Sequence, residues 1–363
     1  MIAIAWFIFI FTVLQLLVAS INLIRRPKLS ALSDSYEGLV SILIPVRNEE
    51  NTIGIILDDL IHQECKNIEI LVFDDESDDN SVDVISKFMK VDPRIRLIPS
   101  SGLPDGWLGK MHACQILSQH AKGNYFLFLD ADVRIHHDAV VKAVSYARQY
   151  RLGLLSVFPQ QIMKSTGEWL TVPTMNYILL SLLPLILVRT SGFSSFSAAN
   201  GQFMLFDASV YKTLKPHEKM KMNPVEDIAI SRMYKKNTIP VACLVGDNTI
   251  QCRMYEGFKT AVHGFSKNVT AFFGRSFLLA ILFWIITTFG PFIIFFWLPR
   301  PIFFLYCTVY LATRIIVSII SHQRILLNIL YIVPQQLVLG LFIYRALINA
   351  GLKRYQWKGR YIQ

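Results

Sequence analysis

The sequence predicts an α/β domain with a largely parallel sheet, flanked by transmembrane helices on its N-terminal and C-terminal sides. The domain is predicted by short apolar runs that alternate with helix-like segments from residue 39 onward. The flanking helices are predicted by composition, because 53% of the 363 residues are hydrophobic and only 17% are charged. That balance is too apolar for an ordinary soluble enzyme. The length accommodates one catalytic-sized domain and several membrane segments.

The first element is an apolar segment at residues 2–24 that has no charged side chain. Its length matches the roughly 20 apolar residues that cross a bilayer. Arg25, Arg26 and Lys28 follow it directly, so the positive-inside bias places the N-terminus outside and the following domain in the cytoplasm. The segment lacks the basic start of a signal peptide, and its apolar run is too long for one. We therefore predict an uncleaved anchor over residues 1–26.

Strand and helix signals alternate after the anchor. The predicted strands are residues 39–45, 68–73 and 95–98, and the predicted helices end near residue 63 and cover about 81–90. A fourth strand is predicted in the aromatic run that begins at Tyr125. In a parallel sheet of this kind, ligands bind beyond the carboxyl ends of the strands.

Acidic residues follow three of these strands. They are Glu49 and Glu50, Asp74 and Asp75, and Asp130 and Asp132. Because side chains alternate along a strand, Asp130 and Asp132 lie on the same side where the chain leaves the sheet. Two like charges placed together favour a divalent cation, which takes oxygen ligands and often bridges a carboxylate to phosphates. A bare Asp-x-Asp is more often a helix cap, but its placement among three acidic strand ends favours a phosphate–metal site.

Several classes of protein are disfavoured by the motifs that the sequence lacks. No G-x-G-x-x-G follows the first strand and no G-x-x-x-x-G-K-[ST] occurs, which argues against a dehydrogenase and a P-loop NTPase. The five cysteines show no C-x-x-C or zinc spacing. The net charge of +10 is gathered near the membrane segments and suits anionic lipid headgroups. No nucleic-acid partner is expected, because the α/β domain has no basic stretch interleaved with aromatic residues.

The C-terminal part contains three apolar segments at 277–298, 301–320 and 325–348, followed by a basic tail at 349–363. Three complete spans would place the C-terminus outside, whereas the basic tail favours the cytoplasm. One segment is therefore a candidate for a re-entrant or interfacial helix, and the sequence leaves this alternative open. Residues 256–275 mix basic and aromatic side chains and predict an amphipathic helix in the membrane interface.

Three motifs resemble the inverting family 2 glycosyltransferases, which have a GT-A fold. They are residues 41–50 (SILIPVRNEE), 72–77 (VFDDES) and 130–132 (DAD). Residues 106–114, 253–258, 264–268 and 357–361 are similar to the membrane branch of this family, which glycosylates carotenoid or hopanoid-type lipids. The resemblance implies a GT-A domain over 37–255, a nucleotide-sugar donor and a divalent cation, Mg²⁺ or Mn²⁺.

The resemblance also implies roles for individual residues. The positions that bind the donor are Pro45, Arg47, Glu49, Asp75, Lys110 and Asp130. Asp75 falls where the family grips uridine, and Lys110 where it places a basic residue near the diphosphate. Asp132 falls at the metal ligand, with Asp130 supporting the metal and the nucleotide.

The candidate general base lies in a Glu-Asp pair, Glu226 and Asp227, which opens a predicted helix at 228–234. From the pattern alone, acids at a helix N-terminus are more often explained by the helix macrodipole. The resemblance favours catalysis, with Asp227 as the base. The related synthases have a Gln-x-x-Arg-Trp motif, whereas this chain has Gln251-Cys-Arg-Met-Tyr255. The departure from this motif favours transfer of a single sugar. Arg253 either contacts the donor diphosphate or the acceptor, or only anchors the chain in the membrane interface.

Residues 169–188 are apolar but carry Pro173 and Pro184, which predicts an interfacial helix or a wall of an acceptor channel. Residues 197–204 lead into an apolar strand. Their small side chains either let the backbone approach the acceptor closely, or the segment forms only a turn.

The expected function is inverting, metal-dependent transfer of one sugar from a nucleotide sugar to a lipid acceptor. The expected nucleotide sugar is a UDP-sugar, specifically UDP-glucose. The expected acceptor is a carotenoid acid or a related polyisoprenoid, and the expected location is the cell membrane, with several spans and a cytoplasmic catalytic domain. The alternatives are a polyprenyl-phosphate acceptor, a non-catalytic subunit that binds nucleotide sugars, and a small transporter.

Overall fold

The short apolar runs of the sequence form strands at the expected places. The strands are β1 (Val40–Val46), β2 (Ile68–Asp74), β3 (Ile95–Pro99), β4 (Tyr125–Leu129), β5 (Val133–Ile135), β6 (Leu154–Phe158), β7 (Gln160–Gln161), β8 (Phe203–Asp207), β9 (Val241–Val245), β10 (Ile250–Cys252), β11 (Tyr355–Trp357) and β12 (Arg360–Ile362). They belong to a computed structural model that describes residues 1–25, 28–29, 36–352, 355–357 and 360–362.

Sixteen α-helices and one 3₁₀ helix lie within the described residues. They are α1 (Ile2–Arg25), α2 (Ile53–Ile61), α3 (Ser81–Val91), α4 (Gly109–His120), α5 (Ala139–Gln149), α6 (Thr166–Thr171), α7 (Pro173–Leu182), α8 (Ile186–Thr190), α9 (Ala208–Leu214), α10 (Pro216–Lys219), α11 (Glu226–Lys236), α12 (Phe258–Asn268), α13 (Phe277–Trp297), α14 (Arg300–Ile320), α15 (Ile325–Leu330) and α16 (Ile332–Leu352), with the 3₁₀ helix at Val269–Phe273.

The chain divides into two units. Residues 27–160 and 185–252 form the first, which we call the α/β unit. Residues 1–26, 161–184 and 253–363 form the second, which we call the helical unit. The predicted GT-A range of 37–255 thus includes two stretches, 161–184 and 253–255, that belong to the helical unit.

A seven-stranded sheet with the order β3-β2-β1-β4-β8-β6-β9 runs through the α/β unit. Strand β1 is parallel to β2 and β4, and β2 is parallel to β3, as predicted. Strand β8 is the exception, because it lies between β4 and β6 and is antiparallel to both. β5 and β10 pair in a second, smaller sheet. The carboxyl ends of β1, β2 and β4 therefore meet at one edge, where the three acidic clusters follow.

These strands are continuous apolar runs in the sequence because the sheet is buried on both of its faces. In β1, Val40, Ile42, Leu43 and Ile44 have no exposed surface. Helix α2 covers one face through its buried stripe, which consists of Ile53, Ile56, Leu57 and Leu60. The spacing of that stripe is the helical periodicity seen in the sequence.

In the helical unit, polar side chains of α1 bond to α7. Gln15 Nε2 donates to Tyr177 Oη at 3.2 Å and to Ser181 Oγ at 3.1 Å. Asn22 Nδ2 donates to the backbone oxygens of Leu180 and Leu183, each at 2.9 Å.

The predicted segment 169–188 is divided among three short helices, α6, α7 and α8. Pro173 begins α7, and Pro184 separates α7 from α8.

Four helices in the described part of the chain are long and apolar enough to cross a membrane: α1, α13, α14 and most of α16. Helix α13 continues through Gly290 and Pro291 without a break. The predicted segment 325–348 differs, because α15 ends at Leu330 and the membrane-length helix begins at Ile332.

The predicted amphipathic helix over 256–275 is shorter than expected. It forms α12 and then the 3₁₀ helix, which ends at Gly274 with φ +65°. Of the predicted basic segments, Arg26 and residues 353–354, 358–359 and 363 lie outside the described residues.

Candidate active site

The loops that follow β1 and β2 are bonded to each other. Arg47 Nη1 donates to the backbone oxygen of Asp75 and, at 3.1 Å, to that of Glu76. Asn48 Oδ1 accepts from the backbone N–H of Asp78 at 3.0 Å. Asn48 and Glu76 both have positive φ values, 55° and 56°, so each loop turns sharply at the sheet edge. Two of the predicted donor-binding residues, Arg47 and Asp75, are therefore in contact.

Glu49 and Pro45 lie at the same edge. Pro45 is the sixth residue of β1, and Glu49 follows the strand. The backbone N–H of Glu49 donates to Ser81 Oγ at 2.8 Å, and its Oε2 accepts from Thr52 Oγ1 at 2.6 Å. The carboxylate is close enough to Asp132 to raise the pKa of that residue. The first strand end is thus electrostatically linked to the Asp-x-Asp pair.

Lys110, near the start of α4, joins the two acidic pairs predicted by the sequence. Its Nζ lies 2.6 Å from Asp130 Oδ1 and 2.9 Å from Oδ2, and 3.7 Å from Glu226 Oε1. Burial alone would lower the pKa of Lys110, but the carboxylates of Asp130 and Glu226 raise it above its ordinary value. The lysine is therefore a fixed positive charge between Asp130 and Glu226.

Asp132 lies in a site that disfavours a second negative charge. Burial, followed by the nearby carboxylates of Asp130 and Glu49, raises the pKa of Asp132 to about 7. Gln202 Nε2 lies 3.5 Å from each carboxylate oxygen of Asp132. A cation bound at this carboxylate would relieve the repulsion, so the environment of Asp132 fits a hard divalent ion.

Glu226 and Asp227 occupy the first turn of α11, where the helix dipole favours negative charge. Asp227 Oδ1 accepts from the backbone N–H of Ile228 at 2.7 Å, and Oδ2 accepts from that of Gly201 at 3.2 Å. Burial is the largest influence on both acids. It raises the pKa of Asp227 above its ordinary value, and it raises that of Glu226 to about 7 despite the opposing charge of Lys110. Raised pKa values make both groups stronger bases than exposed carboxylates.

The segment Asn200-Gly201-Gln202 connects the two acidic pairs. The backbone oxygen of Gln202 accepts from the N–H of Asp130 at 3.2 Å, and Gly201 donates to Asp227. Asn200 is held in turn, because its N–H donates to Ser156 Oγ at 2.8 Å. The sequence predicts an acceptor approach or a turn over 197–204 and gives no separate prediction for Gln202. The only signal was a small polar segment directly before an apolar strand.

Arg253 belongs to the helical unit. Its Nη2 lies 2.9 Å from Glu168 Oε1 and its Nη1 lies 2.9 Å from Glu256 Oε1. Burial alone would raise the pKa of Glu168, but hydrogen bonds from Arg253 and from the 164–165 segment lower it to about 2. Glu168, for which the sequence predicts no role, is thus a counter-ion of Arg253. The predicted contact of Arg253 with a diphosphate or an acceptor stays a prediction.

Within the described ranges, no three His, Cys, Asp or Glu side chains converge as a complete metal cage. A cation at Asp132 would therefore complete its coordination with water, with neutral oxygen atoms or with phosphate oxygens of a ligand. Mg²⁺ commonly binds in this way, through one or two carboxylates and the substrate phosphates. Gln202, whose Nε2 lies 3.5 Å from both carboxylate oxygens of Asp132, also carries a buried amide oxygen, Oε1, that has no hydrogen-bond partner.

Known proteins resemble this chain in sequence and in fold. Residues 41–214 match the family model described as glycosyl transferase family 2. A 4,4'-diaponeurosporenoate glycosyltransferase of Staphylococcus haemolyticus is 26% identical over 239 residues, which cover 63% of this chain and 60% of the relative. The protein of the same name from Staphylococcus aureus strain USA300 is 29% identical over 72% of this chain and 70% of its own.

Among solved structures, a mannosyltransferase from Pyrobaculum calidifontis in complex with GDP-Man and Mn²⁺ aligns with a TM-score of 0.60. The alignment covers 95% of this chain and 98% of that one at 15% identity. The likeness concerns the fold and confirms the predicted GT-A architecture.

Proposed function

Because residues 41–214 match the family model described as glycosyl transferase family 2, we propose that the protein is a membrane-bound enzyme that transfers a single sugar from a nucleotide sugar to a lipid. The observation that carries the proposal is the contact of Lys110 with both Asp130 and Glu226, which unites the two acidic pairs. Sugar transfer needs one group that stabilises the departing diphosphate and another that aims and deprotonates the acceptor. The two pairs supply a candidate for each task.

The proposed donor is a UDP-sugar, specifically UDP-glucose. Its nucleoside would contact the bonded loops after β1 and β2, where Arg47, Glu49 and Asp75 lie with Pro45. Lys110 would face the diphosphate, and its raised pKa keeps it protonated at neutral pH. Before the donor arrives, Asp130 and Glu226 neutralise this lysine. The diphosphate would compete with them for the same charge.

Asp132 is the proposed ligand of a divalent cation, Mg²⁺ or Mn²⁺, and Asp130 is its supporting acid. When bound, the cation neutralises the charge that develops on the leaving diphosphate. The chain's own residues prepare the site, since Asp132 lies partly buried near two other carboxylates and Lys110 balances Asp130.

Asp227 is the proposed general base, with Glu226 beside it. The acceptor oxygen attacks the anomeric carbon while the bond from that carbon to the diphosphate oxygen breaks, so one displacement inverts the configuration. For an alcohol acceptor, the proton passes to Asp227. The backbone N–H groups of Gly201 and Ile228 hold the Asp227 carboxylate in place for this transfer.

The proposed acceptor is a carotenoid acid or a related polyisoprenoid lipid. Two relatives whose names specify a carotenoid acid as the substrate support this choice. The helical unit also presents large apolar side chains on its surface, including Phe292, Phe296 and Phe304, which are 63–74% exposed and suit a bilayer. We place the α/β unit in the cytoplasm, because Arg25 ends α1 and Lys28 follows it.

The proposal is tested with sealed membrane vesicles that contain the protein, a carotenoid acid and labelled UDP-glucose. We expect a labelled lipid in inside-out vesicles and none in right-side-out vesicles, because UDP-glucose does not cross the bilayer. Vesicles with the Asp132→Ala variant serve as the control. If no labelled lipid forms with UDP-glucose or with other nucleotide sugars, the proposal is contradicted and a non-catalytic subunit that binds nucleotide sugars is favoured.

The limited space around the Cα atom of Gly201 provides a second test of the proposed function. A Cβ atom there would lie 3.1 Å from Glu226 Oε1 and 3.3 Å from Lys110 Nζ, which is closer than these atoms tolerate without moving. Gly201→Ala is therefore expected to lower the rate of transfer about tenfold, since small displacements of catalytic groups are costly. Gly192→Ala is the matched control, because its Cβ would meet no atom within 4 Å. Equal rates in both variants would contradict the role of the 200–202 segment.

A further inference from the structure

Gln202 lies between the candidate metal ligand and the core of the α/β unit. Only 5% of the residue is exposed. Its backbone is held on both sides, because the N–H donates to Asn200 Oδ1 at 2.8 Å and the carbonyl oxygen accepts from Asp130 at 3.2 Å. The side chain therefore extends from a fixed point toward Asp132.

The two ends of the Gln202 amide have very different surroundings. Nε2 lies 2.8 Å from Cys252 Sγ and 3.5 Å from each oxygen of Asp132. Oε1 is buried and has no hydrogen-bond partner. Leaving a buried amide oxygen unpaired is costly, and such groups in native proteins often mark a functional site or a bound ion.

A half-turn of the amide about its terminal bond exchanges Nε2 and Oε1. The oxygen would then occupy a position 3.5 Å from both oxygens of Asp132, and a cation between them would turn the repulsion into attraction. Two oxygens that share one six-coordinate cation lie about 3 Å apart, so the spacing is suitable. Cys252 tolerates either orientation, because a thiol is both a weak donor and a weak acceptor.

We propose that Gln202 is a ligand of the divalent cation, binding it through Oε1 together with the carboxylate of Asp132. This inference rests on the proposed function, which supplies the cation. Amide oxygens are ordinary ligands of hard cations. A neutral ligand also has a consequence for catalysis. It fixes the cation without cancelling the positive charge that must attract the diphosphate.

The test measures Mn²⁺ binding by electron paramagnetic resonance on the full-length protein in detergent, with and without UDP. Gln202→Met keeps the size of the side chain but removes the amide, and it should weaken Mn²⁺ binding at least about tenfold. Gln202→Glu, unlike Gln202→Met, keeps an oxygen ligand at this position. Without UDP it should bind Mn²⁺ at least as tightly as the wild type. The added negative charge should, however, abolish the strengthening of Mn²⁺ binding by UDP.

Gln251→Met is the matched control, because Gln251 lies in the same unit and bonds to Gln160 at 2.8 Å. Its Mn²⁺ affinity should equal that of the wild type. Wild-type Mn²⁺ affinity in Gln202→Met, or a Gln202→Glu variant that fails to restore binding, would overturn the proposal while leaving the cation at Asp132. If the wild type itself binds no Mn²⁺, the metal part of the proposed function fails as well. Should Gln202→Met fail to fold, the Gln202→Glu variant decides the question alone.

Discussion

Asp132→Ala is expected to abolish sugar transfer, with a loss of at least about 10³-fold, because the variant removes the carboxylate proposed to bind the metal directly. A metal ion that neutralises a leaving group contributes several kcal/mol to the transition state. Donor binding should also weaken wherever it depends on the cation. Transfer rates and the Mn²⁺-dependent affinity for UDP measure the two effects.

The matched control for this variant is Asp58→Ala, which removes a carboxylate of α2 whose side chain is 61% exposed. That variant should transfer sugar at the wild-type rate. A purified Asp132→Ala variant with wild-type activity would show that the Asp-x-Asp pair only caps the local structure.

Asp227→Asn is expected to reduce transfer to an alcohol acceptor by about 10²–10⁴-fold, the usual contribution of a general base. The loss should be smaller with a carotenoid acid, because a carboxylic acid is already ionised near neutral pH. Asparagine keeps the size of the side chain and one of the two acceptor oxygens that Gly201 and Ile228 use. Single-turnover rates, with UDP affinity measured separately, distinguish a lost base from lost donor binding.

The competing explanation is that Asp227 merely stabilises the start of α11. Asp83 occupies the first turn of α3 in the same way. Asp83→Asn should therefore cost a similar amount of stability, about 0.3–1 kcal/mol from the helix dipole, without affecting transfer. Identical losses of activity in the two variants would refute the assignment of Asp227 as the base.

Much of the α/β unit was predictable, because strands buried on both faces leave apolar runs and helices leave a periodic stripe. The acids at the ends of β1, β2 and β4 could be located for the same reason, since they interrupt those runs. The position of β8 was not predictable. Its pairing with β4 and β6 depends on contacts between residues far apart in the sequence, and an apolar run does not reveal its direction.

The site was predictable where it consists of charged residues. Lys110, Asp130 and Glu226 are conspicuous in the sequence, and the structure brings them together. Gln202 was missed because a neutral amide leaves no pattern of charge, and its importance depends on the turn that aims it at Asp132. Glu168 was missed for a related reason. Its significance arises from Arg253, which lies far away in the sequence.

The antiparallel strand β8 makes the chain vulnerable while the ribosome is still translating it. Strand β4 emerges early, but residues 130–202 must be added before β8 can cover its open edge. At roughly 5–20 residues per second this takes several seconds. During that interval an apolar strand edge is available to neighbouring nascent chains, and exposed edges of this kind promote aggregation. We therefore expect pauses in translation before residue 203 to lower the yield of folded protein more than pauses after residue 207.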